Sequence, residues 1–372
     1  MSAGARISRL DRYLFRESAV PFALAFCFTV VMVFLFQSQR LLGAALGLGL
    51  TAIDLLVIFF AALPPLLVLI IPLAVLLAVM IGMSRLAMDR ELIAFGAAGT
   101  APSRLVRAPV VLGALVSLAA LPVAHFAEPQ GLAMLRERLL DVGLRNASRA
   151  IRPGTFNEDF TGLAFYAGSS RRDGALGDML LYDERDPTQP ILIVAETGRL
   201  VPQSGKSLLL ELTRGEMHFG VGRERDRYER AQFDRARLGI DAEREIGSRM
   251  RFVSEISMMS SAELRAVAAS EPPWSSYGRR VEKVYWRRFA LPLMAVVFAL
   301  LGAAVAAYFG PKSRTKSALT ALGAMVGYYL LMRIGDYAVI KAQHTVLAAA
   351  FGPNLVLLAI ALGILVRAGR PR

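Results

Sequence analysis

Long apolar runs alternate with short charged connections along most of this chain. A helix that crosses a bilayer needs about 20 mostly apolar residues, and six stretches reach or approach that length. They are Val20–Phe36, Leu55–Met83, Leu105–Phe126, Phe289–Phe309, Ala318–Met332 and Thr345–Val366. The pattern predicts an α-helical polytopic membrane protein with six transmembrane helices in two groups of three.

Between the third and fourth runs, the apolar pattern gives way to short alternating segments. Glu128–Ser148 has the spacing of an amphipathic helix that continues the third span. Beyond it, alternating runs separated by Gly, Asp and Pro are typical of an all-β sandwich or barrel. The runs are Leu163–Ala167, Met179–Tyr182, Ile191–Val194, Ser207–Leu212 and Glu216–Phe219, and the predicted hairpin turns are Arg171–Gly174 and Gln203–Lys206.

A capping-box sequence at Ser260–Glu263 predicts a short helix to about Ala269. Ser276–Arg288 is then expected to form a helix that runs into the fourth span. We therefore divide the chain into three parts. They are transmembrane helices 1–3 with a short helix at about 85–99 (1–126), an inserted all-β domain with flanking helices (127–287), and transmembrane helices 4–6 (288–372).

Composition and charge agree with this layout and give it a direction. The chain is 55% hydrophobic with net charge +13 and mean hydropathy +0.47. The segments before span one and after spans two, four and six each carry three or four Lys or Arg residues, whereas the opposite short loops carry only Arg40 and Lys341. Because the Lys/Arg-rich side faces the cytoplasm, we expect both termini to be cytoplasmic and the inserted domain to lie across the membrane. The charge thus predicts topology, and nucleic-acid binding is not expected.

No motif for catalysis, nucleotide binding or metal binding stands out. Gly205–Ser207 resembles the end of a phosphate-binding loop, but Leu200 occupies the position of its first glycine. Three separated histidines and the single Cys27 do not form a metal-ligand pattern. We predict a non-enzymatic protein with no catalytic residue, metal site or cofactor.

Two small groups of residues near the span ends and within a span are candidates for binding and packing. Gln37, Arg40 and Arg333 lie where an anionic amphiphile could be bound. The alternative is that these residues are interfacial anchors, with Arg333 paired to Asp336 three residues later. Gly323 and Gly327 form a Gly-x-x-x-Gly motif for close helix packing.

The segment Ser84–Arg104, between spans two and three, is longer and more charged than a simple connection requires. On a helical wheel its apolar stripe consists of Met88, Leu92 and Phe95, with Arg90 and Ala94 opposite and Glu91 at the border. Gly99 is expected to weaken the end of this helix, and Pro102 is expected to stop the helix. The segment is either an interfacial surface helix or a knob that docks into a groove of a cytoplasmic protein.

This layout, with the sequence Glu91–Gly99 after span two, resembles the LptF/LptG permeases, the membrane subunits of the ATP-driven lipopolysaccharide exporter of Gram-negative bacteria. The resemblance covers nearly the whole chain and is closer to the LptF branch. It extends to Arg12–Glu17, Gln39–Gly43, Pro153–Phe156, Phe165–Tyr166 and Val194–Gly198.

The resemblance implies an inner-membrane transport subunit with a periplasmic β-jellyroll that passes lipopolysaccharide to LptC-like and LptA-like jellyroll proteins. Glu91, with Arg90, Leu92, Phe95 and Gly99, would belong to a coupling helix that fits an LptB-like ATPase dimer. An LptG-like second permease subunit would complete a lipid cavity gated by spans one and five, near Arg40 and Arg333. Gln37 stands where some members place a positive charge.

Other functions stay open from the residues themselves. They are an LptG-type paralogous subunit, a permease for another lipid or lipoprotein, and a membrane receptor or scaffold that transports nothing.

Overall fold

The computed structural model describes residues 9–48, 50–145, 153–160, 162–171, 174–186, 188–203, 207–220, 228–240, 254–272, 274–309, 314–340 and 345–368. The helices are α1 (Arg9–Leu48), α2 (Ala52–Met88), α3 (Glu91–Ala97), α4 (Pro102–Leu105), α5 (Arg107–Pro122), α6 (Glu128–Arg145), α7 (Glu255–Met258), α8 (Ser261–Ser270), α9 (Ser276–Phe309), α10 (Arg314–Ile340) and α11 (Val346–Ala368). The strands are β1 (Phe156–Phe160), β2 (Leu163–Ser170), β3 (Ala175–Asp183), β4 (Ile191–Gln203), β5 (Ser207–Phe219) and β6 (Glu229–Ile240).

Five helical stretches in the described part of the chain are long and apolar enough to cross a membrane. They are Arg9–Phe36, Ala52–Met88, Ser103–Arg145, Ser276–Phe309 and Val346–Ala368. The chain is therefore a mostly helical, multi-pass membrane protein. The predicted span Ala318–Met332 lies within α10, which is not one of these five, so the count of six spans stays a prediction.

The two predicted extensions of the spans are helical. A π-helical turn at Val123–Ala127 joins α5 to α6, and α6 reaches Arg145, the last described residue of the predicted Glu128–Ser148 helix. On the far side of the inserted region, α9 begins at Ser276 and continues as one helix to Phe309. These helices extend well beyond the apolar stretches that define the spans.

The chain forms two compact units, and the first is helical. It comprises residues 1–36, 60–132 and 255–372. Small residues let its helices approach closely: a Cβ on Gly113 of α5 would lie 2.7 Å from Cβ of Ala299 on α9. Such contacts bury the backbone of α9, where Ala295, Ala299 and Ala303 are fully enclosed.

A buried arginine fastens α7 and α8 to α9. Arg288 is only 3% exposed, and its guanidinium donates to Oγ of Ser261 at 3.0 Å and to two backbone carbonyls, those of Ser257 at 3.0 Å and Met259 at 2.7 Å. The fixed fork of guanidinium donors suits several acceptors at once. Arg288 thus satisfies the backbone at the turn between the two short helices.

The predicted capping box begins α8, as expected. The Ser260 hydroxyl accepts from the Glu263 backbone N–H at 3.2 Å, and the Glu263 carboxylate accepts from the Ser260 N–H at 2.7 Å. The backbone hydrogen bond from Ser260, with a smaller contribution from its side chain, holds the pKa of the Glu263 carboxyl below its usual value.

The second unit comprises residues 37–59 and 133–254, and a buried carboxylate organises its helical part. Asp54, whose side chain is 3% exposed, accepts from Arg138 at 2.9 Å and from Arg145 at 3.1 Å, both on α6. Its other oxygen accepts from the Thr51 N–H at 3.0 Å and the Thr51 hydroxyl at 2.7 Å. The first turn of α2 is therefore tied to the end of α6.

The described strands of this unit form a six-stranded antiparallel sheet in the order β1-β2-β3-β4-β5-β6. Its buried face carries mainly Leu, with Ile, Ala, Met and Phe, and includes the fully enclosed Phe165, Leu181 and Leu210. At the predicted turn Arg171–Gly174, between β2 and β3, the Gly174 N–H donates to the Arg171 carbonyl at 3.0 Å. Gln203 pairs with Ser207 across the other predicted turn. Residues 172–173 and 204–206 of these turns lie outside the described residues. The described strands establish an antiparallel sheet, and a complete jellyroll stays a prediction.

The prediction of many short strands needs one correction. The runs Ser207–Leu212 and Glu216–Phe219 belong to one continuous strand, β5. A line of residues without ladder partners crosses the sheet at this level, and we call it the crease. Its members, one per strand from β2 to β6, are Gly168, Asp178, Glu196, Arg214 and Asp234.

At the crease the inward-facing positions shift by one residue. In β4, Ile193 and Ala195 are buried before it, and Gly198 and Leu200 after it. The same shift occurs in β3, β5 and β6, and the backbone takes positive φ at Asp178 (52°) and Arg214 (48°). Because strand side chains alternate with a period of two, the shift made one long strand look like two short ones.

Candidate functional site

The predicted helix at about 85–99 is divided by a sharp break in the backbone. The α2 helix continues to Met88, and Arg90 then takes a left-handed conformation (φ 59°) directly before α3 begins at Glu91. Left-handed backbone interrupts a helix, so α3 is a separate element that changes direction after α2. The prediction of one helix from about 85 was therefore wrong in its first residues.

The end of α3 is set by glycine and not by Pro102 as expected. Gly99 has φ 79°, its N–H donates to the carbonyl of Gly96 at 3.0 Å, and the Thr100 N–H donates to the carbonyl of Phe95 at 2.9 Å. These two bonds form a Schellman motif, which ends many helices. Pro102 instead begins the short helix α4.

The apolar stripe of this segment is divided between two environments. Leu92 and Phe95 are partly buried and pack against a cluster that includes Leu14 of α1 and Leu86 of α2. Met88 is 44% exposed and lines an apolar crevice of about 280 Å³ between α1, α2 and α10. Two members of the predicted stripe therefore contact this chain itself.

The opposite face of α3 is exposed in the described part of the chain. Ile93 is 59% exposed, and Arg90, Ala94 and Ala97 are exposed beside it. The result is a short helix with a small, mostly apolar outer face and a charged residue at its start. A surface of this kind can fit into a groove of another protein.

Glu91 is held by a residue that lies 78 positions earlier in the chain. The hydroxyl of Tyr13, on α1, lies 2.8 Å from Oε2 and 3.0 Å from Oε1 of the Glu91 carboxylate. Hydrogen bonds to an ionised group are shorter and stronger than those between neutral groups. Tyr13 lies in the segment Arg12–Glu17, whose sequence resembles the family, but nothing in the spacing of that segment indicated this contact.

An ion pair and a close helix contact hold α1 against the end of α2. Arg85 lies 3.4 Å from Glu17 and 3.9 Å from Asp89. A Cβ on Gly82 would lie only 2.1 Å from the backbone oxygen of Glu17, so glycine is what permits this approach. The start of α1, the end of α2 and α3 together form one packed cluster.

The candidate lipid-binding residues are only partly described. Gln37 and Arg40 belong to α1, but their side chains lie outside the described residues. Arg333 is exposed on α10. Asp336, the partner proposed for Arg333 in the alternative interpretation, pairs with α9 through Lys283 at 3.0 Å and Arg287 at 3.6 Å.

The Gly-x-x-x-Gly motif on α10 faces open space in the described part of the chain. A Cβ on Gly323 or Gly327 would have no atom within 4 Å. If these glycines serve helix packing, the helix they contact belongs to a part not described or to another molecule. Among the described residues, no group of three or more His, Cys, Asp or Glu side chains is arranged to hold a metal ion.

Comparisons with known proteins agree with the motif around Glu91. Residues 12–367 match the family model described as lipopolysaccharide export system permease LptF/LptG. The lipopolysaccharide export system permease protein LptF of Escherichia coli strain K12 is 25% identical over 218 residues, which is 58% of this chain and 59% of that protein. LptF of Shigella flexneri gives the same values, so the match spans less than two thirds of each relative.

The family model covers both helical groups, the sheet and the cluster of α1, α2 and α3. The chain therefore belongs to the LptF/LptG family of lipopolysaccharide export system permeases.

Proposed function

We propose that this protein is a permease subunit, of the LptF type, in an ATP-driven exporter that extracts lipopolysaccharide from the inner membrane and passes it to a periplasmic bridge. The observation that carries the proposal is α3, whose outer face is exposed around Ile93 while Glu91 is fixed at its start. The sequence offers no nucleotide-binding motif. Energy therefore comes from another chain, and α3 is the element it acts on.

The orientation follows from the distribution of positive charge. Both termini and α3 face the cytoplasm, and the sheet faces the periplasm as a jellyroll. The parts are 1–126, 127–287 and 288–372, with three transmembrane helices in the first and three in the last. The ATPase partner, an LptB-like dimer, then meets α3 from the cytoplasm, and LptC-like and LptA-like proteins receive lipid from the sheet.

The long outer surface of α1 supports contact with lipid and with a second, LptG-like permease subunit. Leu24 and Phe28 are 68% and 67% exposed on α1, which is favourable only against an apolar environment. The crevice lined by Met88 is apolar and has room for part of an acyl chain. We propose Arg333, with Arg40 and Gln37, for the lipid phosphates.

Charge reversal at Glu91 tests the coupling role. Glu91→Lys should abolish copurification of the ATPase and lipid export, because it removes the Tyr13 contact and repels a cationic partner. Asp89→Lys is the matched control, since it makes the same charge change two residues away at an exposed side chain. The measurements are ATPase copurification and lipopolysaccharide release from proteoliposomes.

Unchanged assembly and export in Glu91→Lys would refute the coupling role. An equal loss in Asp89→Lys would show that coupling depends on the net charge of this segment and not on Glu91.

A receptor or scaffold is the second candidate function, supported by the size of the sheet unit. A receptor would keep its function when the first three spans are replaced by an unrelated anchor, whereas a permease would lose it.

A further inference from the structure

We infer that Tyr13 is a positioning residue for coupling: its hydroxyl fixes the Glu91 carboxylate and ties the first turns of α1 to α3. The inference rests on the proposed role of Glu91, because it assigns to Tyr13 the task of passing movement of α3 on to α1. The observation behind it is the paired contact of one hydroxyl with both carboxylate oxygens, at 2.8 and 3.0 Å.

The contact joins two elements, α1 and α3, that α2 separates along the chain and that also pack against each other through Leu14 and Phe95. Glu91 begins α3, directly after the left-handed residue Arg90. The glutamate side chain has several rotatable single bonds, so its carboxylate needs a fixed partner to keep one direction. Tyr13 supplies it from a rigid helix, since Leu14 next to it is 0% exposed and Ser18 one turn later is 1% exposed.

The chemistry of the pair leaves Glu91 free to bind a second donor. Each carboxylate oxygen accepts two hydrogen bonds, and the Tyr13 hydroxyl has one proton to give. The remaining lone pairs stay available on the half-buried carboxylate. Tyr13 therefore orients Glu91 for a cationic donor of the partner without occupying it.

The packing around Tyr13 makes α1 the helix that moves when α3 moves. The start of α1 is packed against α2 and α3 through Leu10, Leu14 and Phe95, whereas its later turns expose Leu24 and Phe28. A helix that is packed at one end and exposed at Leu24 and Phe28 can tilt as a rigid body when its packed end is displaced. The ion pair Arg85–Glu17 supports the same end, but its arginine is 65% exposed, and exposed pairs are weak.

The test uses the complete transporter, purified with its ATPase and reconstituted with lipopolysaccharide. Tyr13→Phe removes one oxygen and keeps the ring, so folding and assembly should persist. We expect lipid released per ATP hydrolysed to fall about tenfold, the loss of one hydrogen bond to a charged group. Tyr277→Phe is the matched control, because Tyr277 is also 37% exposed, and it should change the ratio less than about twofold.

A double mutant separates positioning from a merely structural role. If Tyr13 acts through Glu91, then Tyr13→Phe adds nothing to the defect of Glu91→Gln. Additive defects in the double mutant would overturn the inference. Normal or increased export per ATP in Tyr13→Phe, with Glu91→Gln defective, would also overturn it. In both cases the proposed function stands. If Glu91→Gln is itself silent, the coupling role proposed for Glu91 and the inference both fall.

Discussion

Replacing Asp54 by asparagine should loosen the contact between the start of α2 and the end of α6. Asp54 is enclosed and is the shared acceptor for Arg138 and Arg145. Removing one partner of a fully buried ion pair costs about 3–5 kcal/mol. The two arginine side chains are 30% and 48% exposed, so water can solvate them afterwards, and we expect about 2 kcal/mol.

The same two arginines offer a matched control. Asp141 lies 3.3 Å from Arg138 and 3.0 Å from Arg145, but its side chain is 46% exposed. Because exposed pairs contribute about 0–1 kcal/mol, Asp141→Asn should have a small effect. The comparison changes the same group, with the same partners, at two levels of burial.

Hydrogen exchange of the α6 amides, measured by mass spectrometry in nanodiscs, is the suitable assay. A cost of about 2 kcal/mol in Asp54→Asn lowers protection by about thirtyfold, whereas Asp141→Asn should lower it less than about fivefold. Equal losses in the two variants, or protection in Asp54→Asn within about threefold of the unaltered protein, would refute the argument that burial determines the strength of this network.

Two further predictions concern packing and anchoring. Gly82→Ala should lower the free energy of unfolding in detergent by about 1–3 kcal/mol, because its methyl group would meet the backbone oxygen of Glu17 at 2.1 Å. Gly323→Ala is the control, because a Cβ there has no atom within 4 Å, and it should not lower the free energy of unfolding. A loss of stability in Gly323→Ala would contradict the packing argument. Arg288→Met should accelerate proteolysis of α7 and α8, because three acceptors lose their donor. Its control is Arg280→Met, an exposed arginine that bonds only within its own helix in the described contacts; equal cleavage of the two variants would count against the anchoring role.

Local sequence pattern was sufficient for five of the membrane-length helices and for the start of α8, but it misplaced both ends of α3. Apolar runs of membrane length, the capping box at Ser260 and the left-handed glycine at Gly99 each express physics within a few neighbouring residues. The wheel of α3 also identified Leu92 and Phe95 as one face. It could not tell whether that face meets this chain or another, because amphipathicity is the same in both cases.

Contacts between distant segments could not be predicted from local sequence pattern. Tyr13 and Glu91 are 78 residues apart, and their types alone do not distinguish a bonded pair from two exposed polar residues. Asp54 likewise resembles an ordinary helix-capping acid until α6 brings its two arginines to it. These features depend on tertiary packing, which neither composition nor periodicity reports.

The crease makes the lengths of four strands interdependent. Deleting one residue at Arg214 alone would reverse the faces of half of β5, turning its leucines toward water, while β4 and β6 kept their original alternation. Only the loss of the matching residue from every strand would restore agreement between neighbours. Insertions and deletions are thus tolerable at the loops of this sheet but not at its middle, where β3 to β6 have to change together or not at all.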